Sequence, residues 1–220
     1  MPSVSLAASP VPARPGRPKE PARRQHVLDC ACRAFADDGY AGASLGQIAK
    51  LAGLTKAAIL HHFPTKEALY VGVLAETVGA LGQLVAAAAN DQDSFVARLD
   101  RLGGTVVDYL GAHPAAAKLL LSELIGRGPF AQGPGRAAVD AALRAVAGFL
   151  GAGMRAGEFR RQNAEHLTMS IVGVHLVYFA AADITETLVG GDPFASRRLV
   201  SRKKAVVATV RTMCLPAAAT

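Results

Sequence analysis

Val27, Ala31, Ala34 and Phe35 recur at i, i+4, i+7 and i+8, the spacing of one helix face. The pattern predicts a helix from Arg23 to Asp38, stopped by Gly39. Ser44-Leu45-Gly46-Gln47 then has the form of a capping box. Ser44 is placed to accept from the Gln47 backbone N–H, and the Gln47 side chain to return the bond. The helix it opens runs from Leu45 to Leu51, and Gly53 stops it. Thr55 is the cap of a third helix reaching about His62, which Pro64 breaks. Thr65 caps a longer one to Asn90, led by Leu69, Val73 and Leu74. Further helices are predicted over Ser94–Ala112, Pro114–Gly126, Arg136–Gly157, Asn163–Val189 and Ser196–Leu215. Glycine and proline mark Gly126–Gly135 as a loop. No strand alternation and no internal repeat stands out, so the expected fold is all-α.

Composition supports this reading. Hydrophobic residues are 51% of the 220, but aromatics only 5% with no Trp. The core must therefore be built from Ala, Leu and Val, and Ala and Leu favour helix. The net charge is +7, and residues 1–66 hold nine Lys/Arg against four Asp/Glu. Residues 1–21, rich in Pro, Ala and Ser, read as a disordered basic arm. Residues 22–66 then form a first unit and residues 67–215 a second. A basic first third suits nucleic acid, although a solvated tail has the same charge.

Other chemistries find little support. Cys30 and Cys32 lie about 200° apart around a helix, and Cys214 is remote, so no metal site or disulfide framework is expected. The chain shows no phosphate loop, nucleophile elbow or dinucleotide fingerprint, so neither an enzyme nor a cofactor is expected. The N-terminus has no secretory apolar region. The most apolar stretch, Ile171–Ala182, falls short of the roughly 20 residues a membrane span needs. The expectation is a cytoplasmic protein with no membrane partner.

The informative segment is Gly39–Leu69: a short helix, a tight turn at Gly53 and a second short helix. Such a helix-turn-helix presents its second helix to the major groove while the first braces it. Ile48, Ala49, Ala52, Leu54 and Ile59 are the expected contacts between the two. The elements Ile48-Ala49, Ala52-Gly53, His62-Phe63 and Lys66-Glu67-Ala68-Leu69 resemble, at matching spacing, the TetR family of repressors. The resemblance covers roughly residues 23–75. It implies three DNA-binding helices, then a helical ligand-binding and dimerisation domain. The partners implied are double-stranded operator DNA, a small and largely apolar effector, and a second copy of the chain. An activator, or a helical sensor with weakened DNA binding, is the alternative.

One departure bears on DNA. The family usually has a phosphate-touching Tyr where this chain has Leu60. His61 is then either its replacement or a solvent-facing residue. Lys56 and Lys66 are the phosphate candidates, with Ser44 and Thr55 beside them, each also readable as a cap alone. Ala57, Ala58 and His61 face outward if Ile59 and Phe63 face in, and alanine can meet only groups such as the thymine methyl. Gln47 reaches a base or simply closes its capping box. Arg14 and Arg17 in the arm are minor-groove candidates.

The resemblance implies a ligand pocket among the helices between Ser94 and Ala182, where Leu102, Val106, Leu120, Leu124, Leu143 and Phe149 are candidate lining. Tyr109, His113, Glu123, His175 and Tyr178 are the polar candidates, and satisfied core or surface is the simpler reading of each one alone. The resemblance implies a dimer bundle built from the two last helices. Their apolar stripes include Ile171 and Val174 on one, and Leu199, Val206, Val210 and Met213 on the other. These stripes fit intramolecular core equally well.

Overall fold

The computed structural model describes residues 20–126 and 134–216. Arg14 and Arg17 lie outside them, as does most of the Gly126–Gly135 loop. The described residues form ten helices and no strand.

Helix α1 spans Glu20–Gly42, so it starts three residues earlier than the periodicity suggests. Pro21 is tolerated in the first turn, where an N–H has no helical acceptor to lose. Gly39 bends the helix instead of ending it. Its backbone (φ 70°, ψ 171°) lies on the side of φ that a Cβ disfavours, and one more turn follows to Gly42. Helices α2 (Leu45–Leu51), α3 (Lys56–His62) and α4 (Lys66–Asn90) follow. Each has its predicted cap: Gln47, Ala58 and Ala68 donate backbone N–H bonds to Ser44, Thr55 and Thr65 at 3.1, 3.2 and 3.0 Å. The second half of the capping box does not form. The Gln47 side chain donates instead to Asp38 at 2.6 Å, tying α2 to the end of α1.

The core of this head comprises Val27, Ala31, Phe35, Ile48, Ile59 and Phe63, all buried. It is continuous with α4. A Cβ at Gly72 would lie 2.9 Å from the Phe63 ring and 3.3 Å from Leu28, so glycine lets the head pack directly on α4. Tyr70, also on α4, meets the Phe35 and Tyr40 rings at 4.9 and 5.2 Å between centroids.

The remaining helices are α5 (Phe95–Ala112), α6 (Pro114–Leu124), α7 (Pro134–Arg155), α8 (Ala164–Ala180), α9 (Ala182–Val189) and α10 (Ser196–Cys214). Helix α6 is wedged between α1 and α8, α7 packs on α4 and α8, and α10 lies along α5. Helices α4 and α7 are long and apolar enough to cross a membrane by length and composition, with mean hydropathies of 1.6 and 1.3. Here each is packed on the other within the bundle.

Two expectations are corrected. The predicted single helix Asn163–Val189 is two helices meeting at 82°. At the break, the Thr185 hydroxyl donates to the Tyr178 carbonyl at 2.9 Å, satisfying an acceptor that a continuous helix would have paired with a backbone N–H. The second correction concerns the dimer stripes. Val206 and Val210 are buried within the single chain because that side of α10 faces α5, and Ile171 of α8 is buried in the cavity wall. Leu199 packs on Gly111 of α5, where a Cβ would meet its Cδ2 at 2.9 Å. Val174 and Met213 are half-buried.

Val206→Asp therefore places a charge inside one chain, at a position 0% exposed. The expected loss exceeds about 4 kcal/mol, enough to unfold the protein as well as any assembly. Far-UV circular dichroism with thermal melting checks this. A variant that dissociates yet melts like the wild type would show that Val206 faces a partner.

Candidate DNA-binding face and ligand cavity

Helix α3 hides Ile59 and Phe63 and leaves Lys56, Ala57 and His61 exposed, with Ala58, Leu60 and His62 half-buried. Lys56 makes no ion pair among the described residues, so its charge is open to a phosphate. Ser44 and Thr55 are exposed. Their oxygens accept the cap bonds, which leaves each hydroxyl hydrogen able to donate outward. Lys66 is turned inward: its ammonium lies 4.5 Å from the Tyr40 ring centroid and 3.4 Å from the Ala41 carbonyl. Gln47 is exposed, but its amide is engaged with Asp38. Arg24 escaped the sequence reading. Its guanidinium stands over Phe63 at 5.1 Å, beside the C-terminal end of α3. The signal was a basic residue on α1, but only folding brings it to α3.

Deeper in the chain, α4, α5, α6, α7 and α8, with Val210 of α10, line a cavity of about 140 Å³. Leu102, Val106, Leu120, Leu124, Leu143 and Phe149 all stand in its wall, with His175 as the polar side chain among them. The two His175 nitrogens face backbone carbonyls, Nδ1 that of Ile171 at 2.8 Å and Nε2 that of Gly103 at 3.3 Å. A neutral ring can donate to only one of them. Burial pushes the His175 pKa below its ordinary value, against the pull of these carbonyls. Behind Phe149 lies the buried Arg98, its guanidinium 3.8 Å from the Phe95 centroid and 5.5 Å from that of Phe149.

The other polar candidates lie elsewhere. Glu123 is buried but accepts a hydrogen bond from Tyr70, so its partner is internal. Tyr178 lies beneath Arg202 at 4.5 Å and donates to the Pro193 carbonyl at 3.4 Å. Tyr109 and His113, stacked at 4.4 Å, line a separate cleft between α1, α4 and the α5–α6 corner. Among the described residues, no three His, Cys, Asp or Glu side chains are grouped to hold a metal.

A helix-turn-helix head continuous with a helical body that encloses an apolar cavity defines a one-chain DNA-binding regulator. Residues 27–73 match the family profile "Bacterial regulatory proteins, tetR family", and residues 96–210 match "Tetracyclin repressor-like, C-terminal domain". The chain belongs to the TetR family of transcriptional regulators. It is 28% identical over 154 residues to the HTH-type transcriptional regulator RutR of Escherichia coli K12, covering 68% of this chain and 70% of RutR. Among solved structures, AibR in complex with isovaleryl coenzyme A and operator DNA superposes with a TM-score of 0.65 at 19% identity, covering 86% of this chain and 97% of AibR. FadR of Bacillus subtilis in complex with stearoyl-CoA gives a TM-score of 0.63 at 17% identity, with 84% and 96% covered.

The state of His175 sets a pH dependence. With its pKa lowered in the fold, the unfolded chain binds this proton more readily than the native one. Its contribution to stability is therefore present above the unfolded pKa and is lost as pH falls below about 6.5. The stability of wild type relative to His175→Leu should fall between pH 7.5 and 5.5, at no more than about 1.4 kcal/mol per pH unit. Urea titrations at the two pH values measure it. A difference that does not change with pH would mean that His175 titrates normally in the fold.

Proposed function

We propose that this regulator is a cytoplasmic repressor that binds a near-palindromic operator as a two-fold homodimer and releases it when a small, neutral, apolar molecule fills the cavity. The observation that carries the ligand class is the wall, in which every side chain but that of His175 is apolar. Such a wall offers a charged group nothing to offset its desolvation. A dry apolar cavity of about 150 Å³ suits a ligand of roughly benzene size, and a larger one must part the helices. The AibR and FadR structures hold isovaleryl coenzyme A and stearoyl-CoA. An acyl chain suits this wall, but it holds no cation for CoA phosphates.

Dimerisation is assigned here to the outward faces of α8 and α10. Met169, Val177 and Val200 are more than half exposed there. Ala205, Ala208 and Thr209 lie exposed along the same α10 helix and allow close approach of a second copy. Two-fold symmetry then sets the reading helices about 34–36 Å apart, one duplex turn. On the DNA, Lys56, Ser44, Thr55 and His61 take phosphates, with Lys66 and Arg24 close by. Ala57 and Ala58 meet thymine methyl groups, and Gln47 braces α2. Readout by so few base contacts is thin, so the arm with Arg14 and Arg17 is assigned to the minor groove beside it.

Fluorescence anisotropy on the palindrome nearest the chain's own gene tests this over a range of salt concentrations. Wild type should bind specifically. Lys56→Ala should lose affinity for specific and non-specific DNA alike, and its log K versus log salt slope should flatten by about one per subunit. An unchanged slope and affinity would remove Lys56 from the interface. Absence of specific binding by wild type would remove the operator reading.

A further inference from the structure

The cleft that holds Tyr109 and His113 measures about 650 Å³, well above the apolar cavity, and joins the head to the body. Its floor is apolar and buried: Leu28 of α1, Val73 of α4 and Ala116 of α6. One wall is the stacked Tyr109–His113 pair, whose planes are 26° apart. At the mouth stand three exposed charged residues, Asp29 and Arg33 from α1 and Glu76 from α4. Arg33 turns a guanidinium N–H to the Cys30 sulfur at 3.4 Å. Asp29 accepts from the Gln25 amide at 3.1 Å, and Glu76 makes no ion pair among the described residues. Two carboxylates against one guanidinium leave the mouth negative on a chain whose net charge is +7.

Cys32 and Tyr109 add no negative charge to the cleft. Burial pushes the Cys32 thiol up to about 11, and Asp29 adds to the rise. Burial pushes the Tyr109 phenol up to about 12, with Cys32, Glu76 and Asp29 adding to it. Thr77 is buried, and its hydroxyl donates to the Val73 carbonyl at 2.9 Å. The cleft thus combines an apolar floor, an aromatic wall and a negative mouth. A cation with an apolar body satisfies all three, through charge at the mouth and through the face of the Tyr109 ring.

We propose that the cleft between α1, α4 and the α5–α6 corner is a second small-molecule site, and that it takes bulky organic cations. This site is independent of the neutral ligand assigned to the apolar cavity. Its occupant touches both the head and the body, so it favours whichever arrangement of the two fits it better.

Tetraphenylphosphonium and tetraphenylborate have nearly the same size and shape and opposite charge, and the wall of the apolar cavity has no carboxylate to favour the cation. Isothermal titration of the full chain with each is the test. The phosphonium should bind at one site per chain and the borate at least tenfold more weakly, although the protein's overall charge favours the anion. The double variant Asp29→Asn/Glu76→Gln alters only exposed side chains and should weaken phosphonium binding at least tenfold. Ala80→Leu fills the cleft from α4 with both carboxylates in place and should weaken it as well. The proposal is overturned if the phosphonium does not bind, if it binds no better than the borate, or if both variants bind it like wild type.

Discussion

Tyr70 on α4 and Glu123 on α6 stand 53 positions apart in sequence and are joined by a phenol–carboxyl hydrogen bond in the interior. Both side chains are buried, and burial, with the bond adding to it, lifts the Tyr70 pKa well above that of an ordinary phenol. A buried carboxyl group that lost this donor would incur a desolvation cost of about 1–3 kcal/mol. The same Tyr70 ring closes a cluster with Phe35 and Tyr40 of α1. One side chain therefore fixes three helices, α1 of the head with α4 and α6 of the body. The placement of the reading helix depends on this seam, because α3 packs on α2, α2 packs on α1, and Phe63 at the end of α3 lies against Gly72 of α4.

The same α4 continues past Tyr70 into the cavity wall with Val78, Leu81, Gly82 and Val85. A ligand that prefers one spacing of that wall consequently biases the position of the head, by as much as its affinities for the two arrangements differ. The surface adds little to this coupling. Lys118 of α6 pairs with Asp37 of α1 at 3.4 Å, but an exposed pair contributes only about 0–1 kcal/mol. The coupling resides in buried packing and in the Tyr70–Glu123 bond.

How much of this was legible in the sequence follows from the range of each signal. Caps and turns are local, so Ser44, Thr55, Thr65 and Gly53 marked the helix-turn-helix to the residue. The apolar cavity wall could be named because the family resemblance placed a pocket among the helices between Ser94 and Ala182, where large apolar residues such as Leu102 and Leu143 are plentiful. Signals that depend on a distant partner were misread or left open. Gln47 left its capping box because Asp38 offers a charged acceptor across the Gly39 bend. For Glu123 the choice between ligand group and satisfied core stayed open, because its partner Tyr70 is remote in sequence. Periodicity showed that Val206 and Val210 share a face but not which neighbour covers it, and α5 does. The break after α8 rests on Thr185, whose hydroxyl competes for a carbonyl seven residues earlier, within a stretch apolar enough to look continuous.

The central claim is that head and body share one seam through α4, so that loosening it in the body loosens the head. Native-state hydrogen exchange on Tyr70→Phe tests this directly, since the substitution removes the hydrogen bond and keeps the ring. Amides of α2 and α3 should exchange faster than in wild type, by a factor similar to that seen for α6, near tenfold for a loss of about 1.4 kcal/mol. Faster exchange confined to α6, with α2 and α3 unchanged, would show that the head is held independently of the body.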